Sequence, residues 1–295
     1  MGQSLIKNDI KNLPTTKLQP ITNLNPGKFD QYSKEINSII DFNTFDGFVM
    51  ELGHNLNKNF SMSHSMQIGS RRQESVYTLR TGVETKKLSL YGNIDNNGFL
   101  RGHLLAQLTQ TLSSEAVFNL EGQDDLSTWI WNLEHKGKLS TSRAEITSTS
   151  ICAFSYYQRV TPKLSLGTRL TYLHPLRQTK LMFIARLRNK QNICSFTYSG
   201  MLNSLSLSYV RKIQPRVGFA TEIVYSLREG SSFTSLGFKY SLRKVVFHSK
   251  ITSNDELSTS LEMGFPIVKL TFTAKMDYKV KKYYAGIRVS IGPVL

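Results

Sequence analysis

From Asp46 to the end of the chain, apolar and polar residues alternate with a period of two. Leu205, Leu207 and Tyr209 fall on one face of their segment. Val268, Leu270, Phe272 and Ala274 do so on another, with Lys269, Thr271, Thr273 and Lys275 on the reverse. This is the signature of β-strands with two unlike faces. Nineteen such segments can be counted, from "GFVMELGHNL" through "SICAFSYYQR" and "NSLSLSYVRKI" to "KYYAGIRVSIG". They recur about every 13 residues and are punctuated by turn signals such as Asn96-Asn97-Gly98 and Ser253-Asn254-Asp255. Strands of ~10 residues joined by short turns fit a membrane-spanning barrel. A two-sheet sandwich uses seven to nine strands per ~100 residues with less regular loops, and no linker divides this chain into two such domains. One face is Leu, Phe, Ile and Val with almost no charge, and the other is Ser, Thr, Gly and single charges. A hydrocarbon exterior and a wet interior account for that split. The last strand would leave a bare edge in an open sheet, so the first strand must pair with it. An odd count makes that pairing parallel. The expected fold is therefore all-β, a 19-stranded transmembrane antiparallel β-barrel over 46–292 with its first and last strands parallel.

The start of the chain breaks the pattern. Residues 1–24 are polar, contain Pro14 and Pro20, and read as a flexible arm. Residues 25–45 form a second segment. After Asn25-Pro26-Gly27, residues Phe29, Tyr32, Ile36, Ile39 and Ile40 recur at three and four. That spacing predicts one amphipathic helix over 28–40, placed inside the lumen of the barrel.

Composition narrows the function. The net charge is +16, but Lys and Arg are scattered singly rather than gathered in a stripe, which argues against a nucleic-acid partner. No GxxxxGK[ST], HExxH, GxSxG or GxGxxG is present, so an enzyme is not expected. Cys152 and Cys194 form no framework, and the six histidines lack ligand spacing; neither a metal nor another cofactor is expected. A wide barrel leaves an aqueous channel, so the chemistry is a surface lining. Strand parity turns Glu51, Glu115, Glu121, Glu134, Glu145, Glu222 and Glu262 inward. It does the same for Arg80, Arg101, Arg143, Arg169, Arg186, Arg188, Lys239, Lys244, Lys250, Lys269, Lys275 and Arg288. The sixth to eighth strands make an acidic wall, and the tenth to nineteenth are mostly basic.

Three segments carry a resemblance. "NPGKFDQYSKEINSII" before "DGFVMELGHNLNKNFSMSHSMQIGS" is similar to the opening of the Tom40 family, the channel subunits of the mitochondrial outer-membrane protein translocase within the eukaryotic porin superfamily. "QRVTPKLSLGTRLTY" at 158–172 resembles that family's mid-barrel Val-Thr-Pro segment. The last strand resembles the sorting signal of mitochondrial outer-membrane barrels, at Tyr284, Gly286, Val289 and Ile291; Tyr284 departs from the charged or amide residue expected there. The resemblance implies a protein-conducting channel in the mitochondrial outer membrane, with unfolded precursor proteins as cargo and the inward acids as a track for basic presequences. The alternative is a metabolite porin of the voltage-dependent anion channel type, which the positive charge would suit. The resemblance also implies a lipid surround, small helical subunits, a receptor, and a second barrel copy as homodimer partner. These would meet at the outer seam, where parity places His54, Met62, His64 and Met66.

Overall fold

The structure, a computed structural model, describes residues 25–69, 75–121, 127–214 and 216–292; the arm expected over 1–24 lies outside them. The strands are β1 (Gly47–Asn57), β2 (Phe60–Ile68), β3 (Val76–Glu84), β4 (Leu88–Asp95), β5 (Leu100–Gln107) and β6 (Leu112–Leu120). They continue as β7 (Thr128–Lys136), β8 (Ser140–Thr147), β9 (Ile151–Arg159), β10 (Leu164–Leu173), β11 (Gln178–Arg188), β12 (Asn192–Ser199) and β13 (Ser204–Gln214). The last six are β14 (Val217–Ser226), β15 (Ser232–Ser241), β16 (Val245–Thr252), β17 (Glu256–Gly264), β18 (Val268–Asp277) and β19 (Lys282–Ile291). Each pairs antiparallel with the next, and β1 also pairs with β19 in parallel, Gly47 opposite Gly286 through Leu52 opposite Ile291. The sheet is closed, as the alternating pattern requires of a chain with no tolerated edge.

The two faces separate as two solvents would demand. On β9, Ala153, Ser155 and Tyr157 are buried while Cys152, Phe154 and Tyr156 are exposed. Phe154, Phe183, Phe196, Leu207, Phe219 and Ile287 all stand exposed on the outer face, whereas Ser63, Ser235, Ser260 and Thr273 are buried within. That reversal of the soluble pattern is the polarity of a membrane barrel. Among the described residues no helix is long and apolar enough to cross a membrane; the strands do the crossing.

The N-terminal segment lies inside. It differs from the single helix expected over 28–40. A 3-10 turn at Phe29–Gln31 is followed by a separate helix α1, Lys34–Ile40. The concave wall explains the break. Phe29 stands edge-on to Tyr157 of β9, with centroids 6.3 Å apart, and also packs on Ile184 of β11. Ile36, Ile39 and Ile40 pack on Ile193, Val210 and Ala220 of β12 to β14. Two short pieces follow that curve where one straight rod would leave it. Each buried isoleucine contributes about 2 kcal/mol. Gly237 of β15 makes room for them, because a Cβ there would fall 2.7 Å from Ile40 Cγ1.

The parallel seam is fastened from the lumen side. Ser290 donates to Glu51 at 2.7 Å, and Arg288 stands 3.8 Å from the same carboxylate and 4.6 Å above the Phe45 ring. Thr273 donates to the Phe45 carbonyl at 3.0 Å. A Cβ on Gly286 would collide with that carbonyl and with the Phe45 ring. Gly286→Ala is therefore expected to prevent closure, read as loss of carbonate-resistant protein in membranes. Gly264→Ala, whose Cβ would come no closer than 3.8 Å to a neighbour, is expected to assemble normally.

Candidate functional site: the pore lining

The lining begins where the N-terminal segment enters. Asn25 donates to the carbonyls of Gly137 (2.6 Å) and Ser140 (3.3 Å), and accepts from Thr141 (3.1 Å) and from the Gly27 amide (2.8 Å). The Asx turn tolerates Gly27 at φ +93°, and it fixes residue 25 to the β7–β8 turn. The Asn-Pro-Gly punctuation is thus an anchor at the rim.

From there the segment crosses the acidic wall through a ladder of ion pairs. Lys28 sits 3.5 Å from Glu134 and 3.9 Å from Glu115. Glu115 also meets His103 of β5 at 2.9 Å, and Glu134 meets Lys136 at 3.3 Å. Asp30 lies between Arg143 (2.6 Å) and Arg169 (3.4 Å), and Arg169 reaches Glu145 at 2.8 Å. Glu35 of α1 contacts Arg186 of β11 at 2.5 Å, a close ion pair whose angle departs from that of a hydrogen bond. Burial on a concave wall strengthens such pairs relative to surface ones, because fewer waters screen them.

Of the side chains that parity turns inward, several meet partners on the lumen wall. Glu115, Glu134 and Glu145 are brought together on β6, β7 and β8, and Arg143 joins them from β8. Glu121 differs: it follows the last residue of β6 and stands at the rim. Lys244 also differs, since it lies in the β15–β16 turn. Glu51 belongs to the seam described above. Glu222 accepts from Ser206 at 3.5 Å on the opposite wall. Glu262 pairs with Lys269 at 2.9 Å, and Lys239 donates to the carbonyl of Ser38 at 3.3 Å. Lys275 pairs with Glu256 at 3.1 Å. Arg80 and Arg101 lie on β3 and β5, partly buried, and Arg188 ends β11 exposed. On β10 to β19 the charged side chains are mostly basic.

Sequence reading missed the partners of the acids. Lys28, Asp30 and Glu35 look like solvated positions of an amphipathic helix, and His103 like an isolated histidine. One signal was available for His103: it is turned to the same face as Glu115, two residues off register on the neighbouring strand. Glu256 was likewise overlooked at the start of its strand.

The outer seam has its expected geometry. Leu52 faces His64 and His54 faces Met62, so the two histidines are diagonal neighbours. His64 has a further partner, the Tyr77 hydroxyl at 2.6 Å from its Nδ1. In the closing strand, Tyr284 and Gly286 turn inward, while Val289 and Ile291 turn outward opposite Met50 and Leu52.

Comparison with known proteins agrees with this architecture. The eukaryotic porin family matches residues 25–286. The probable mitochondrial import receptor subunit TOM40-2 of Arabidopsis thaliana is 25% identical over 282 residues, covering 90% of each chain. The mitochondrial import receptor subunit TOM40 homolog of Xenopus laevis is 24% identical, covering 91% of this chain and 84% of its own. The mitochondrial import receptor subunit TOM40 of Saccharomyces cerevisiae is also 24% identical, covering 88% and 76%. With a match across almost the entire barrel and a fold of nineteen strands closed in parallel, the chain belongs to the eukaryotic porin family.

Proposed function

We propose that the protein is the protein-conducting channel of the mitochondrial outer membrane, passing unfolded precursor proteins through its lumen. The observation that carries this reading is the position of Lys28. A lysine from an amphipathic segment lies between Glu115 and Glu134, 3.9 and 3.5 Å away. This is the contact that a basic amphipathic presequence would make. The track offers weak, replaceable pairs rather than a deep site, so cargo is held briefly and released. Lys28 is then both anchor and competitor. The similarity to import receptor subunits supports the same reading. It assigns no catalytic step to the chain.

Lys28→Gln frees the two carboxylates. It is expected to strengthen block by a basic presequence peptide about five-fold at low salt, the worth of one partly exposed ion pair near 1 kcal/mol. Changing Glu115 and Glu134 together to Gln is expected to weaken it, with a smaller loss at high salt. Equal block in both variants would show that these acids are not the track.

The route itself is tested by arresting a precursor in the channel. Cysteine at Thr78, on the lumen side of β3 and partly exposed, is expected to crosslink to it, and cysteine at the outward neighbour Tyr77 is not. The converse pattern would place the cargo outside the barrel.

The second reading, a metabolite porin, draws on the basic wall of β10 to β19. It predicts anion flux undisturbed by presequence peptides.

The seam of His54, Met62, His64 and Met66 is assigned to protein contact, with a second barrel copy and small helical subunits as its occupants. Met62 and Met66 offer adaptable apolar surface. Cysteine at Met66, half exposed on the outer face, is expected to give a protein adduct in native membranes. Labelling by a lipid-phase probe alone would make the seam a lipid surface.

A further inference from the structure

The two rims of the barrel are chemically unlike. One rim bears the connections from odd to even strands, beginning with the β1–β2 turn, together with the end of β19 and the Asn25 anchor. Among the described residues, seven of its nine connections carry Lys or Arg. They run from Lys58 round to Arg243 and Lys244, nine bases in all with no acid. The described connections of the opposite rim hold four bases and three acids. The asymmetry is not a by-product of the overall charge, which would load both ends.

We propose that the basic rim is a binding surface for the headgroups of anionic phospholipids, and that it seats this end of the barrel in the more anionic leaflet. Three observations favour lipid over a docked protein. First, the charges encircle the barrel, as an annulus of headgroups does, whereas one partner would cover an arc. Second, the connections are two to four residues long, too short to carry the charges beyond headgroup depth. Third, apolar side chains share these turns. Leu139 is 47% exposed beside Lys138, and Leu242 is 43% exposed beside Arg243. An apolar residue in the acyl boundary with a neighbouring lysine reaching to phosphate is the arrangement that amphipathic cations adopt at an interface. Arg211, outward on β13 beyond Tyr209, extends the same chemistry onto the barrel wall.

The test is lipid selectivity at the barrel surface. The full chain is reconstituted in phosphatidylcholine vesicles containing trace spin-labelled lipid, and the motionally restricted fraction is measured. A spin-labelled phosphatidylserine is expected to associate about five-fold more strongly than the choline lipid at low salt. The preference is expected to fall as salt is added to the unaltered protein, which keeps the proposal testable if a variant misfolds. Substituting Lys86, Lys87, Lys138, Lys163, Arg243 and Lys244 by Gln is expected to abolish the preference. Substituting Arg177, Arg228, Lys279 and Lys281 of the opposite rim is expected to leave it. Equal association of the two lipids in the unaltered protein would overturn the proposal, as would equal losses in both variants. Overturning it too would be a protein adduct from native membranes that the six-fold variant alone loses while lipid preference is unchanged; the rim would then be a docking site for an acidic protein.

Discussion

Arginine at both Ile287 and Val289 is expected to abolish assembly of the barrel, with the protein recovered in the carbonate-soluble fraction. Both side chains point outward, Ile287 in mid-strand opposite Phe272 and Phe48, Val289 two residues before the end of β19 opposite Leu270 and Met50. An arginine facing lipid at mid-depth costs about 2–4 kcal/mol. Two of them on the closing strand approach the whole stability of an ordinary domain, about 5–15 kcal/mol. Because the strand must also pair in parallel with β1, no neighbouring edge can compensate. Arginine at the inward position Ser290 faces the Glu51 carboxylate rather than hydrocarbon, and is expected to be tolerated better. Normal insertion of the outward double variant would mean that the faces of β19 are reversed.

Removing Arg186 is expected to release α1 from the wall and enlarge the pore. The Arg186 side chain is 8% exposed and its partner Glu35 19%. Breaking a buried pair by deleting one member costs about 3–5 kcal/mol, since the other charge is left without compensation. That offsets most of the roughly 6 kcal/mol that Ile36, Ile39 and Ile40 together recover by packing, so the helix spends part of its time off the wall. Arg186→Met should therefore raise single-channel conductance and make it noisier as the helix leaves. Replacing both residues by Met removes the uncompensated charge, and conductance should return towards the unaltered value. If Arg186→Met conducts like the unaltered protein, the hydrophobic contacts of Ile36, Ile39 and Ile40 alone hold the helix.

The barrel was legible because its periodicity is imposed from outside. A strand between hydrocarbon and water must alternate, so β18 reveals its inward Lys269 and Lys275 without any knowledge of its neighbours. Closure followed from the same logic, since the edge of β19 could not be left bare. The N-terminal segment was less legible. Its three-and-four spacing correctly marked the residues that touch the wall, Phe29, Ile36, Ile39 and Ile40. The split between the 3-10 turn and α1 depends on the curvature of a surface assembled from strands far along the chain. The pairing of charges was least legible. Lys28 meets Glu134, and Asp30 meets Arg143, across about 110 residues of sequence. Parity states which side of a strand a carboxylate faces, and nothing in a local pattern states which cation crosses the lumen to meet it. For that reason the acids at 115, 134 and 145 read as a bare wall, whereas they are already partnered by Lys28, Arg143 and Arg169.

The most direct measurement of the central claim is the conductance of the purified channel in a planar bilayer, with a basic amphipathic presequence peptide added and then a peptide of the same composition that cannot form an amphipathic helix. A protein-conducting pore should show brief, voltage-dependent closures with the first peptide. They should lengthen in Lys28→Gln and shorten when Glu115 and Glu134 are both Gln. Steady conductance unaffected by either peptide, with anions carrying the current, would contradict the account and make the barrel a metabolite porin.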